Sequence, residues 1–298
     1  MLQVARLAPK QLGEATDLVG EFVLGQFQKD GPHGFVDRAG NPDLYYTVFG
    51  IECLIALAQN LPVEALGEYL REFKDGRSLD FIHLCCLTHC WAALSLPQDH
   101  NARVDTPDPS IGAAMAGLIE THRTPDGGYN VTPDAAHGSA YGCYMAYSAF
   151  QNLGRPPKDL DAMIECLAGL KQDQGGYAND KLVTVATTPT TAAVVTLLRH
   201  LDQPLDQQTG QWLLSQCHVQ GGFLATSHAP MPDLLSTAVG LHALSSFEVD
   251  LDRIREPCID FIDSLWTNKG SFHGNWADND LDVEYTFYGL LALGHLSV

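Results

Sequence analysis

Apolar and polar positions alternate along this chain in blocks, not residue by residue. Apolar runs of about 10 to 15 residues, rich in Leu and Ala, carry the i, i+3, i+4 spacing of a helix. Runs such as "STAVGLHALSSF" and "YTFYGLLALGHL" are apolar on nearly every side, the pattern of a helix with protein all round it. Each is preceded by a more polar, amphipathic run, which reads as an outer helix. Between the two lie a Gly-Gly-aromatic turn and a polar loop, as in "LAGLKQDQGGYANDKLVTVATTPTTAAVVTLL" and "LLSQCHVQGGFLATSHAPMPDLLSTAVGLHAL".

This unit recurs about every 45 to 50 residues, a period that marks a repeat architecture. The copies span about 18–58, 67–97, 114–154, 163–202, 211–248 and 259–298, the first two more weakly marked than the rest. Six helical hairpins, or about twelve helices, predict an all-α chain forming one domain over 1–298: a single α/α toroid with rings of inner and outer helices around a central, largely apolar cavity. Gly-Gly permits positive φ and close backbone approach. The aromatic that follows (Phe35, Tyr129, Tyr177, Phe223 or Phe272) is expected to fill the space between adjacent hairpins.

Composition narrows the function. The chain has 298 residues, 45% of them apolar, enough for a sizeable core. Its 36 acids against 17 bases give a net charge of −19. That excludes a nucleic-acid partner, which needs clustered Lys and Arg, and disfavours an anionic membrane surface. No apolar run reaches the length of a transmembrane helix, and no signal peptide is read at the start, so a cytoplasmic protein is expected. Most of the eight cysteines lie inside apolar runs without a CxxC pair, as buried, reduced thiols do.

The first turns of the inner helices are expected to line one mouth of the cavity. They bring Asp43 with Tyr45 and Tyr46; Asp80 with His83 and His89; His137 with Tyr141 and Tyr144; Thr187 to Thr191; Asp233 with Thr237; and Asp282 with Glu284 and Tyr285. A ring of Asp, His and Tyr around an apolar well makes a candidate small-molecule site, with Tyr45, Tyr46, His83, His137, Tyr141 and Tyr144 as substrate contacts. The same acids are natural helix caps. "DFIHLCCLTHC" offers a possible metal set of Asp80, His83 and Cys86 or Cys90. The alternating acids Asp278, Asp280, Asp282 and Glu284 resemble the start of a calcium loop but lack its Gly and closing Glu.

Gly-Gly-aromatic hairpins of this period resemble the α/α toroids of protein prenyltransferase β subunits and of squalene–hopene-type cyclases, over essentially the whole chain. The resemblance implies an isoprenoid-handling cavity and, for the β subunits, a helical protein partner. The prenyltransferase zinc site is implied at the fifth and sixth inner helices. There "MPDLLSTAVGL" keeps Asp233 but has Leu235 in place of the ligand Cys, and "LDVEYTFYGLLAL" has Tyr285 in place of the ligand His. Basic groups for a diphosphate are also missing from "LATSHAPMP". The cyclase motif Asp-x-Asp-Asp-Thr corresponds to Asp282, Val283, Glu284, Tyr285 and Thr286. A carboxylic acid facing an apolar cavity keeps its proton to higher pH, so Glu284 is the candidate proton donor, with Asp282, Tyr285 and Asp233 as further catalytic candidates. No cofactor is certain. A divalent ion, zinc or magnesium, in a non-standard site of Asp233, His228, His273 and Asp280 is the alternative. Three classes therefore stand: an isoprenoid-directed enzyme, a non-catalytic isoprenoid or lipid carrier, and a partner-dependent subunit.

Overall fold

The computed structural model of the chain describes residues 1–29, 31, 33–95, 108–247 and 249–297. Two short helices, α1 (Leu2–Ala5) and α2 (Pro9–Leu12), precede six helix pairs. The pairs are α3 (Ala15–Gly25) with α4 (Leu44–Ala56), α5 (Val63–Glu72) with α6 (Phe81–Ser95), and α7 (Pro109–Glu120) with α8 (Ala140–Asn152). They continue as α9 (Leu160–Ala168) with α10 (Thr188–His200), α11 (Gln207–Ser215) with α12 (Leu234–Leu244), and α13 (Asp252–Leu265) with α14 (Val283–Leu296). These are the six predicted hairpins. The ends foreseen at 97, 248 and 298 lie outside the described residues.

The all-α expectation needs one small addition. A two-stranded antiparallel ribbon, β1 (Phe27–Gln28) with β2 (Gly34–Phe35), closes the first hairpin. Single bridges take its place in later hairpins, pairing Arg123 with Tyr129, Lys171 with Tyr177, Cys217 with Phe223 and Trp266 with Phe272. No described helix is long and apolar enough to cross a membrane.

The chain packs as two compact units, one of Met1–Gln26, Glu52–Asn60 and Lys171–Val298, the other of Phe27–Ile51 and Leu61–Leu170. In the first, α12 packs against both α10 and α14, and α1 lies against α14; in the second, α6 packs against α8. The burial of the helices follows their sequence pattern. Outer-type α5 buries one stripe, Val63, Leu66, Gly67, Tyr69 and Leu70, whereas α12 buries Leu234 and everything from Ser236 to Leu244.

The aromatics of the Gly-Gly turns divide: the Phe35 and Phe272 rings seat on the second helix of their own hairpin, whereas the Tyr177 hydroxyl meets Thr209 on α11 of the next hairpin, as expected of a residue between hairpins. A methyl group on Gly50 would stand 2.2 Å from the Phe35 ring, and one on Gly289 2.4 Å from Phe272. Each of these glycines lies seven residues after its helix cap, two turns along the same face. The glycine of the turn also meets the neighbour. Gly221 has φ +86°, and a Cβ there would lie 1.8 Å from the Pro257 carbonyl oxygen on α13, so both conformation and space demand Gly.

A recurring hydrogen-bond set locks turn to helix in most of the hairpins. The second helices start at Asp43, Asp80, Ser139, Thr187, Asp233 and Asp282, each capping with its side chain. Four residues on, a Thr hydroxyl donates back to the cap carbonyl, at 2.6 Å for Thr47, 2.7 Å for Thr237 and 2.6 Å for Thr286. The same hydroxyl accepts from the aromatic's backbone N–H: Phe35 at 3.1 Å, Tyr177 at 2.9 Å and Phe223 at 2.9 Å. In the third hairpin Cys143 Sγ takes this place, accepting from Tyr129 N–H at 3.3 Å.

Candidate active site

In the second unit, the first turns of α4, α6 and α8 present half-buried polar and aromatic groups. Asp43 Oδ1 accepts from the Tyr45 and Tyr46 N–H groups at 2.8 and 3.1 Å, fixing the start of α4. Its other oxygen stands 3.1 Å from His83 Nε2, and His83 Nδ1 stands 2.8 Å from Asp80 Oδ2. One imidazole therefore bridges the caps of two helices. The hydrogen bond to Asp43 is the largest influence on His83. With Asp80 it outweighs burial and raises the pKa to about 9, so the ring is an imidazolium at neutral pH. Burial works against both carboxylates, but His83 and the backbone N–H groups hold Asp43 and Asp80 below the usual range.

Tyr45 packs edge-on against Tyr46 and Phe49, with centroids 5.7 and 5.0 Å apart, beside this clamp. Tyr141 and Tyr144 are likewise half-buried in the first turns of α8. His137 sits in the preceding loop, its Nδ1 3.5 Å from Asp126 Oδ2. Asp126 also accepts from the Gly138 N–H. The possible metal set on α6 is not assembled. Asp80 and His83 bond to each other, and burial pushes the Cys86 thiol up to about 12, so it stays protonated.

In the first unit, Asp282 is 2% exposed and its Oδ1 accepts from Tyr285 N–H at 2.8 Å. Asp233 has both carboxylate oxygens on Ser236, at 2.7 Å to the N–H and 2.8 Å to the hydroxyl, while burial raises its pKa. These two acids serve as caps. Glu284 is the second residue of α14, half-buried, with the Tyr285 and Tyr288 rings 6.1 Å apart beyond it.

The divalent set expected at Asp233, His228, His273 and Asp280 does not form. His228 Nδ1 bonds with Ser227 at 3.2 Å, His273 Nδ1 stands 3.3 Å from the Asp280 carbonyl oxygen, and Asp233 is committed to its cap. Asp278 holds its own loop through the N–H groups of Gly274 and Asp280. Among the described residues no three His, Cys, Asp or Glu side chains gather as an ion site. The Leu235 side chain brings no donor atom beside Asp233.

The sequence puts Asp43 at one helix start and Asp80 with His83 at another; it does not show that the two starts meet. It also gives no sign of a buried pair, His242 with His295, at the far end of α12 and α14. A His on an otherwise apolar run is the one local cue for each.

Comparison with known proteins bears on the fold. An arginine-to-alanine variant of type II terpene cyclase MstE from Scytonema, solved with geranylgeranyl dihydroxybenzoate, is 15% identical with a TM-score of 0.63, covering 97% of each chain. A protein from Actinoplanes is 12% identical with a TM-score of 0.62, covering 95% of this chain and 98% of its own. No curated protein sequence matches. The prenyltransferase α/α-toroid model matches residues 10–112 and 190–297, well over half the chain. The helix pairs, their capped turns and this match lead to one conclusion: the chain belongs to the prenyltransferase α/α-toroid domain family.

Proposed function

We propose that this chain acts on an isoprenoid chain by proton-initiated chemistry, with Glu284 as the proton donor and without ionising a diphosphate. The carrying observation is the first turn of α14. Asp282 is bound into the cap, so the acid presented beside aromatic rings is Glu284, with Tyr285 next to it and Tyr288 one turn on. Aromatic faces stabilise a developing cation, through their quadrupoles. The first turns of the second helices, LYYT, FIHL, AYGC, TPTT, LLST and VEYT, contain no Lys or Arg. A departing diphosphate would need such cations to take up its charge. The complex of the Scytonema cyclase with a geranylgeranyl dihydroxybenzoate supports the substrate class by fold similarity alone.

The test is turnover of polyprenyl compounds lacking a diphosphate, with product analysis by mass spectrometry. Glu284→Gln is expected to lower turnover by about 100-fold or more, the effect of losing a general acid. Unchanged turnover in that variant overturns the assignment. Tight binding without any turnover by the wild type favours the carrier reading instead.

A further inference from the structure

The turn of the fifth hairpin is pressed against α13 of the sixth. A backbone bridge joins Cys217 to Phe223 across that turn. Inside it, His218 N–H donates to the Gly222 carbonyl at 2.8 Å and Gly221 N–H to the His218 carbonyl at 2.9 Å. A Cβ on Gly221 would meet the Cys258 backbone nitrogen at 2.9 Å, and one on Gly222 would stand 2.6 Å from the Phe261 ring. The two glycines thus let the turn reach the α13 backbone at a residue that carries a thiol.

Cys217 and Cys258 meet there, their thiols hydrogen-bonded to each other. Cys258 is 0% exposed, whereas Cys217 is the one cysteine of the eight that is not buried. The Cys258 sulfur also accepts from the Gly222 N–H. These two donors, the Cys217 S–H first, outweigh burial and hold the Cys258 thiol below its usual range. The same S–H···S contact, with burial, pushes Cys217 up. When the pair loses one proton, the charge therefore rests on Cys258 and the remaining proton on Cys217.

A second pair, Cys143 and Cys166, provides the contrast. Its thiols are also hydrogen-bonded, and the Cys166 and Cys143 sulfurs stand 2.5 and 3.2 Å from where a Cβ on Gly128 would lie. Both residues are buried, however, and Cys166 Sγ is 3.7 Å from Asp126 Oδ2. A carboxylate beside a buried thiol disfavours the thiolate. Access and a stabilised sulfur anion come together at Cys217–Cys258 and not at Cys143–Cys166.

We propose that Cys217 and Cys258 form a reversible disulfide, by exchange with a low-molecular-weight disulfide, that staples the fifth hairpin to the sixth. In the first step the proton between the two sulfurs passes to Cys258 as the Cys217 sulfur attacks the small disulfide. The small S–S bond breaks; one half leaves as a thiolate and the other stays on Cys217. In the second step Cys258 gives its proton to water, and its sulfur, held by the Gly222 N–H, attacks Cys217 Sγ. The mixed disulfide breaks and the second half leaves. Two protein thiols are oxidised to one disulfide, and one small disulfide is reduced to two thiols. Excess small thiol drives the exchange backwards. The new bond closes a loop around α12, which restricts the unfolded chain.

The experiment incubates folded wild type with oxidised glutathione at mildly alkaline pH, then counts free thiols and maps linked peptides by mass spectrometry. Two of the eight thiols are expected to disappear, with the Cys217 peptide joined to the Cys258 peptide. The melting temperature is expected to rise by about 5 °C or more, and dithiothreitol to reverse both changes. Cys258→Ser is expected to stop after the first step, with one glutathione held on Cys217. Cys217→Ser is expected to keep all its remaining thiols. Retention of all eight thiols by wild type overturns the proposal, as does a link mapped to a different pair. A glutathione adduct that persists on wild-type Cys217 overturns it as well, because Cys258 then does not resolve it. A mapped link that leaves the melt unchanged overturns the staple. The wild-type count and map need no substitution, so the test stands even where a variant fails to fold.

Discussion

His83 joins two helix starts through one ring, and that makes it a reporter of pH. Its raised pKa has a definite sign in linkage. An unfolded His titrates near 6.5, so the clamp's contribution is fully present below that value and is lost as pH rises through about 9. The ring is about one-third exposed, so water screens part of the interaction. His83→Gln is therefore expected to melt below the wild type at pH 6, with the gap narrowing steadily toward pH 10. A melting gap that stays constant across this range shows that the ion pairs contribute nothing. The clamp also illustrates what a sequence hides. Asp43 and His83 are 40 residues apart on different hairpins, and neither stretch carries a mark of the other. The His242–His295 contact spans 53 residues and is hidden for the same reason.

At the scale of elements much more is legible, because a helical period, a cap and a Gly-Gly turn are all local. Six helix pairs form, though each first helix begins a few residues before the repeat bounds read from the sequence. What periodicity does not reveal is which partner each turn residue meets: the Phe35 ring against Gly50 of its own hairpin, and Gly221 against α13 of the next. The cap residues also divide structure from chemistry. Asp233 gives both oxygens to Ser236, and Asn caps a helix about as well as Asp. Asp233→Ala is expected to lose about 1 kcal/mol in urea unfolding, the usual cost of a lost cap. Asp233→Asn is expected to unfold at nearly the wild-type midpoint and to retain turnover. A folded Asp233→Asn protein without turnover would show instead that the carboxylate has a chemical task.

For the whole molecule, charge decides between substrates that share a prenyl chain. A net charge of −19 disfavours an approaching anion, and the first turns of the second helices hold no Lys or Arg, the His83 imidazolium there being paired with Asp43 and Asp80. A polyprenyl diphosphate and an uncharged polyprenyl compound of equal length present the same apolar surface, so burial favours them alike. Their difference in affinity reports electrostatics alone. Long-range repulsion acts over about 30 Å at 0.01 M salt and about 8 Å at 0.15 M. Calorimetric titration of the wild-type protein without added divalent ions is expected to show tighter binding of the uncharged compound. The margin should shrink as salt rises between those concentrations. A diphosphate that binds as tightly at low salt would reveal a cationic site beyond the carboxylate-paired His83. It would move the chemistry from protonation of an alkene to ionisation of a leaving group.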